Sequence, residues 1–281
     1  MMFDNTFTLP FFSLVTSAWP LMLAAIAAGM VDSMGGGGGL ITVPTLLNLG
    51  VPPVFLLGTN KVVSCFGSIP ALLRYRHAQL LPRLDWKIWT AMVLFCGFSA
   101  AGGAFLSQNE AYLARISLIV PALLVLVMAF MIKRWFWDEK KQVPASQLNL
   151  QDRDSPSLLL QKLKGIGIPI GMGGISFYDG LLGPGTGAFF MNLLEHQGIK
   201  TLTANATTKV FNLASNLGAL IFFASQGRSL WHLGLIGAFS YALGNYLGAG
   251  FVLRRGQGIV RTVVLSVTTI LLLRYLYRYF S

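Results

Sequence analysis

Charge is what this chain has least of. Of its 281 residues only 11% are Asp, Glu, Lys or Arg, against 54% hydrophobic, and the mean hydropathy is +0.64. Soluble domains carry roughly 25% charged residues, so a surface held in water is excluded, and with it a soluble enzyme. Cysteine is scarce as well: Cys65 and Cys96 both lie inside apolar runs, with neither metal-ligand spacing nor a disulfide framework. His77, His196, His232 and Glu195 fall near the ends of apolar segments, where interfacial placement accounts for them. No Ser/His/Asp or His/Cys constellation is present, so the expectation is a non-enzyme without cofactor or metal. Asp4 is present but no Lys or Arg precedes Lys61. The positive n-region of a signal peptide is therefore missing, and the first apolar run is expected to persist in the mature protein.

What charge there is leans positive, 21 Lys and Arg against 10 Asp and Glu. These positives gather in short stretches between apolar runs rather than on a basic helix, the pattern of a membrane protein rather than of a nucleic-acid binder. The expected partners are a lipid bilayer and a small ligand, with no nucleic acid. Eight apolar segments follow, at about 10–48, 53–73, 86–106, 113–135, 165–194, 201–225, 230–252 and 259–277, most of them long enough to cross as helices of about 20 residues. The fold class is all-α and polytopic.

The first and fifth segments are too long and too broken for one plain helix. One contains five consecutive glycines, Gly35 to Gly39, and the other Gly183-Pro184-Gly185-Thr186-Gly187. Each glycine costs about 1 kcal/mol of helix propensity, and opened backbone at membrane depth persists only where protein or a wet cavity satisfies it. These segments are expected to be glycine-broken or re-entrant.

The polar stretch 136–160 divides the chain near its midpoint, and the two halves match at an offset of 148 residues. Gly35, Gly37 and Gly39 meet Gly183, Gly185 and Gly187; Thr59 meets Thr207; Lys61 meets Lys209. Two related bundles of about four segments each, 1–135 and 161–281, joined by the linker 136–160, are the expected organisation. Loop charge places that linker in the cytoplasm whether all eight segments cross or the first and fifth return to their own side. It does not separate parallel from inverted repeats.

Lys61 and Lys209 sit inside apolar runs, where an ammonium costs at least a few kcal/mol unless it faces a cavity or a partner. At helical spacing from them lie Ser64 and Ser68, and Asn205, Asn212 and Asn216, a polar stripe that lines a pathway or glues helices. The glycine breaks offer backbone N–H groups at the start of half-helices, which bind oxyanions, and Thr42 and Thr186 add hydroxyls. The candidate substrate-binding set is Lys61, Lys209, Thr59, Thr207, Thr42, Thr186, Asn212 and the six glycines Gly35, Gly37, Gly39, Gly183, Gly185 and Gly187. Asp32 and Asp179 precede the breaks; each could carry a coupling proton, pair with a lysine or cap the following half-helix.

The stretches Val31-Asp32-Ser33-Met34 through the five glycines to Pro44, Gly58-Thr59-Asn60-Lys61, Tyr178-Asp179-Gly180-Leu181-Leu182-Gly183-Pro184-Gly185-Thr186-Gly187 and Thr208-Lys209-Val210-Phe211-Asn212 together resemble the TauE/SafE (TSUP) family of sulfite exporters. The resemblance covers about residues 20–277. Its Gly-Pro-Gly-Thr-Gly form is similar to a bacterial subgroup of probable inner-membrane transporters. Membership implies a multi-pass protein of the bacterial plasma (inner) membrane that moves small anions, sulfite and organosulfonates among them, outward and coupled to an ion gradient. Family members that take up thiosulfate depend on cysteines, and Cys65 and Cys96 match no such motif. A passive anion channel and a membrane assembly factor are the alternatives to a carrier.

Overall fold

A computed structural model describes residues 18–109 apart from 83, residues 167–255, scattered positions between 115 and 133, and position 269. Among the described residues there are nine helices and no strand: α1 (Trp19–Ser33), α2 (Gly39–Asn48), α3 (Pro53–Gly67), α4 (Ile69–His77), α5 (Trp86–Leu106), α6 (Gly167–Leu181), α7 (Thr186–His196), α8 (Thr201–Ser225) and α9 (Trp231–Arg255). The linker 136–160, the apolar segment 259–277 and most of 113–135 lie outside the described residues. Prolines occupy the first turn of α1, α3 and α4, where a missing N–H costs nothing. The Asp85 carboxylate caps α5 by accepting from the Lys87 amide at 3.1 Å.

Three stretches, Pro53–His77, Trp86–Leu106 and Trp231–Leu253, are long and apolar enough to cross a membrane. Large apolar side chains point outward from them: Phe98 is 75% exposed and Phe239 80%. Apolar surface on this scale belongs against lipid. The chain is a multi-pass helical membrane protein.

Polar and charged side chains are instead turned inward. Lys61, Lys209, Asp32, Asp179, Asn205 and Ser215 are all buried, the reverse of a soluble fold.

Contacts fix the direction of each helix. Along α9, Gly234 meets Val62, Gly237 meets Val63, Tyr241 meets Gly67 and Gly250 meets Arg74, so α3–α4 runs parallel to α9. Leu21 meets Gly237, Ile26 meets Gly244 and Met30 meets Gly248, so α1 runs the same way. Phe95 meets Gly173 and Gly103 meets Phe177, making α5 parallel to α6. Gly97 lies on Gly218 and Phe105 on Phe222, making α8 parallel to both. Against α3–α4, however, α8 is antiparallel: Lys61 bonds Asn216 while Asn205 bonds Tyr75.

The helices therefore define two faces. Face A holds the starts of α1, α3 and α9; face B holds the starts of α5, α6 and α8. Residues 49–52 join the end of α2 to the start of α3, so α2 ends on face A, where α1 began. Residues 197–200 likewise return α7 to face B, and Leu193 of α7 folds back onto Gly171 of α6. Both glycine-broken segments are thus re-entrant hairpins. Helices of 15, 10, 15 and 11 residues reach at most about 22 Å, short of the ~30 Å hydrocarbon core.

Segments that match at the 148-residue offset have matching bounds but opposite directions. Trp19 and Ser33 of α1 correspond to Gly167 and Leu181 of α6, and Pro53 and His77 to Thr201 and Ser225 of α8.

Candidate functional site

The two hairpins enter from opposite faces and pass each other at their tips. Gly36, with φ +82°, lies against the Gly187 backbone, and Gly39 approaches Pro184. A side chain at Gly36 would be strained and would overlap the Gly187 backbone, so the crossing needs glycine there. Gly185, at φ +82°, is the residue before α7. It sets the angle at which that helix leaves the turn.

At each tip the last turn of the incoming helix carries a carboxylate, and each carboxylate finds a lysine from the other half of the chain. Lys61 Nζ lies 2.7 Å from Asp179 Oδ1 and donates to Asn216 Oδ1 at 2.9 Å. Asp179 also accepts the Thr186 hydroxyl on Oδ1 and the Ser215 hydroxyl on Oδ2, each at 2.7 Å. Lys209 Nζ lies 2.9 Å from Asp32 Oδ2 and donates to the Asp32 backbone carbonyl. Asn245 donates to Asp32 Oδ2 at 3.0 Å. Behind this pair, Tyr75 and Asn205 both donate to the Ser33 carbonyl. A buried ion pair persists only when further hydrogen bonds satisfy its remaining lone pairs, and both pairs have them.

Between the pairs lies a small polar cavity lined by Asp32, Asp179, Gly37, Thr186, Asn212 and Tyr241 among others. About 20 Å³ is open to the centre of a water molecule, room for about one water. The N-termini of α2 and α7 open onto it through Gly38 and Gly39, and through Gly185, Thr186 and Gly187. Among the described residues, the amides of Gly37, Gly38, Gly39, Gly185 and Gly187 have no acceptor. The cavity thus combines two helix N-termini, five available amides and two carboxylates held by lysines.

The expected site residues divide accordingly. Gly37, Gly39, Gly183, Gly185, Gly187, Thr186 and Asn212 line the cavity, as do Asp32 and Asp179. Lys61 and Lys209 do not; each lies behind its carboxylate, because a buried ammonium takes the nearest anion in a medium of low dielectric. Asp32 and Asp179 pair and do not cap, since the residues preceding α2 and α7 are Gly38 and Gly185. Thr42 donates to Asn60 Oδ1 at 2.5 Å and so holds a lining residue. Thr59 is away from the cavity: its hydroxyl accepts the Leu230 amide at 3.0 Å and ties α3 to the start of α9. Thr207 is buried with no partner for its hydroxyl among the described residues. Gly35 packs on Met191.

Ser215, Asn245, Tyr241 and Asn60 were not singled out by the sequence. Asn60 stands beside Lys61 in the Gly58-Thr59-Asn60-Lys61 motif, the one signal that could have drawn attention to it.

The family model described as "Sulfite exporter TauE/SafE" matches residues 21–275. The chain belongs to this family. TauE/SafE relatives include a "Probable membrane transporter protein ORF9" from a Sinorhizobium species, 33% identical over 91% of each chain. Others are the "Probable membrane transporter protein YfcA" of Escherichia coli K12, 29% identical over 92% of this chain and 88% of that one, and a "Probable membrane transporter protein" of Haemophilus influenzae, 30% identical over 92% and 93%. No solved structure matches the chain. The family is one of membrane transporters, and membrane transport rather than catalysis is the activity of the fold.

Proposed function

We propose that this chain is a secondary carrier of small anions, in particular sulfur oxyanions and organosulfonates resembling sulfite, exporting them with proton coupling. The observation that carries the reading is the cavity itself: two helix N-termini with available amides converge on it, and the charges facing it are carboxylates already bound to lysines. An oxyanion entering would be held by the amides and Thr186, as helix N-termini hold phosphate and carboxylate. Protonating Asp32 or Asp179 at a carboxylate oxygen releases the corresponding lysine, whose Nζ then takes the anion; loss of that proton restores the ion pair and frees the anion. The small size of the cavity favours a compact anion.

The organisation proposed with it is an inverted repeat, 1–135 and 161–281, related across the crossing of the hairpins. Face B is the cytoplasmic side of an inner membrane: Arg74, Arg76, Lys87, Lys200, Arg254 and Arg255 stand at its helix ends, whereas Arg228 follows the face-A end of α8 and Arg115 comes after the face-A end of α5. The linker 136–160 belongs to that side.

The experiment is flux of radiolabelled sulfite and sulfoacetate in proteoliposomes of the purified protein, with and without an imposed pH gradient, beside Lys209→Met. Gradient-dependent flux that falls by two orders of magnitude or more in the variant, about 3 kcal/mol or more of lost stabilisation, is the expected outcome. Flux indifferent to the gradient would make the protein a passive channel, and equal flux in the variant would remove Lys209 from the site.

A further inference from the structure

The two ion pairs lie at different depths. Lys61 is eight residues from the start of α3 at face A, and Lys209 eight residues from the start of α8 at face B, each about 12 Å in. The span Pro53–His77 and α8 are both 25 residues, about 37 Å. Lys61 is therefore in the half of the protein toward face A, and Lys209 in the half toward face B. Each is reached by the hairpin from the opposite face. The tip of α1, entering from face A, extends until Ser33 meets Tyr75 and Asn205, near the end of α4 and the start of α8 on face B. The tip of α6, entering from face B, carries Asp179 to Lys61. The cavity lies between, lined by both carboxylates.

From this arrangement we infer that the two pairs are the two gates of one cavity: Lys61–Asp179, with Ser215, Thr186 and Asn216, shuts it from face A, and Lys209–Asp32, with Asn245, shuts it from face B. The inference rests on the carrier reading and adds to it which residues face which side. With both pairs formed, each hairpin tip is held in place on its own side of the cavity. Breaking one pair frees the hairpin tip that plugs that side and leaves the other plug in place, which is what alternating access requires. The gates are built from different donors. Asp179 accepts two hydroxyls beside its lysine, whereas Asp32 accepts an amide and the ammonium also holds its backbone carbonyl. The face-B gate is consequently tied to α9 and the face-A gate to α7 and α8.

The test places one cysteine in the cavity, Ser64→Cys, in a Cys65→Ala, Cys96→Ala background. Its labelling by a charged, membrane-impermeant thiol reagent is followed from each side of sealed vesicles without any transported anion. Asp179→Asn is expected to raise labelling from face A about tenfold and leave face B unchanged; Asp32→Asn is expected to do the converse. Ser215→Ala and Asn245→Ala, which each remove one hydrogen bond from one carboxylate, should give the same sidedness with smaller factors and provide the test if the charge variants fail to fold. Exposure of the same face by both sets, or rates unchanged in all four, would overturn the assignment. Because no anion is present, a wrong gate is distinguished from a wrong substrate: absence of sulfite flux with the sided labelling intact would count against the carrier's cargo alone.

Discussion

Lys61, Lys209, Asp32 and Asp179 are conspicuous in the sequence because each interrupts apolar surroundings, and charge at membrane depth calls for a partner. Which partner was not legible, since Lys209 and its carboxylate are 177 residues apart in the chain. Ser215 and Asn245 were less visible still: a single hydroxyl or amide in an apolar helix is ordinary helix glue until a carboxylate is found beside it. The pairing has a thermodynamic signature. Lys61→Met leaves Asp179 buried and uncompensated and should cost about 3–5 kcal/mol, whereas Lys61→Met with Asp179→Leu should recover most of the loss. Thermal unfolding of the purified variants in detergent checks this; equal destabilisation by the single and double variants would mean that the pair contributes nothing.

At the scale of elements, the five-glycine run and Gly-Pro-Gly-Thr-Gly were legible as breaks, and α5 and α8 have the limits that their apolar runs predict. Glycines elsewhere had no evident purpose in the sequence but mark helix crossings in the structure. A methyl group on Gly103 would overlap the Phe177 carbonyl and one on Gly180 the Ala100 carbonyl, both between α5 and α6, while Gly174, six residues earlier on α6, meets nothing within 4 Å. Gly180→Ala should therefore destabilise by about 1–3 kcal/mol through overpacking, and Gly174→Ala should be neutral or stabilising by up to about 1 kcal/mol. Unfolding midpoints of the two variants, compared directly, test the parallel packing of α5 on α6. Equal shifts would contradict it.

For the whole molecule, the decisive feature is that α3–α4 and α8, alike in sequence position and in their lysines, run in opposite directions. Loop charge could not separate this from eight successive crossings, because moving a few arginines between sides changes the balance little. Accessibility does separate them. In the cysteine-free background, Gln226→Cys at face A and Lys87→Cys at face B should label from opposite sides of the membrane. Eight crossings would put both residues on the same side, so same-side labelling would refute the hairpins.

The amino-acid sequence by itself determined that the chain is helical and lives in a bilayer, because composition and run length act locally and need no knowledge of neighbours. It also determined where the helices break and which few charges must be accounted for, since glycine clusters and buried lysines violate local rules wherever they occur. Only the tertiary structure decided that the broken segments turn back, that each lysine takes the carboxylate of the other half, and that Thr59 serves a helix joint rather than the cavity. Those outcomes depend on which backbones approach closely enough to share a hydrogen bond. That is set by packing between residues more than a hundred positions apart and leaves no periodic trace in either stretch alone.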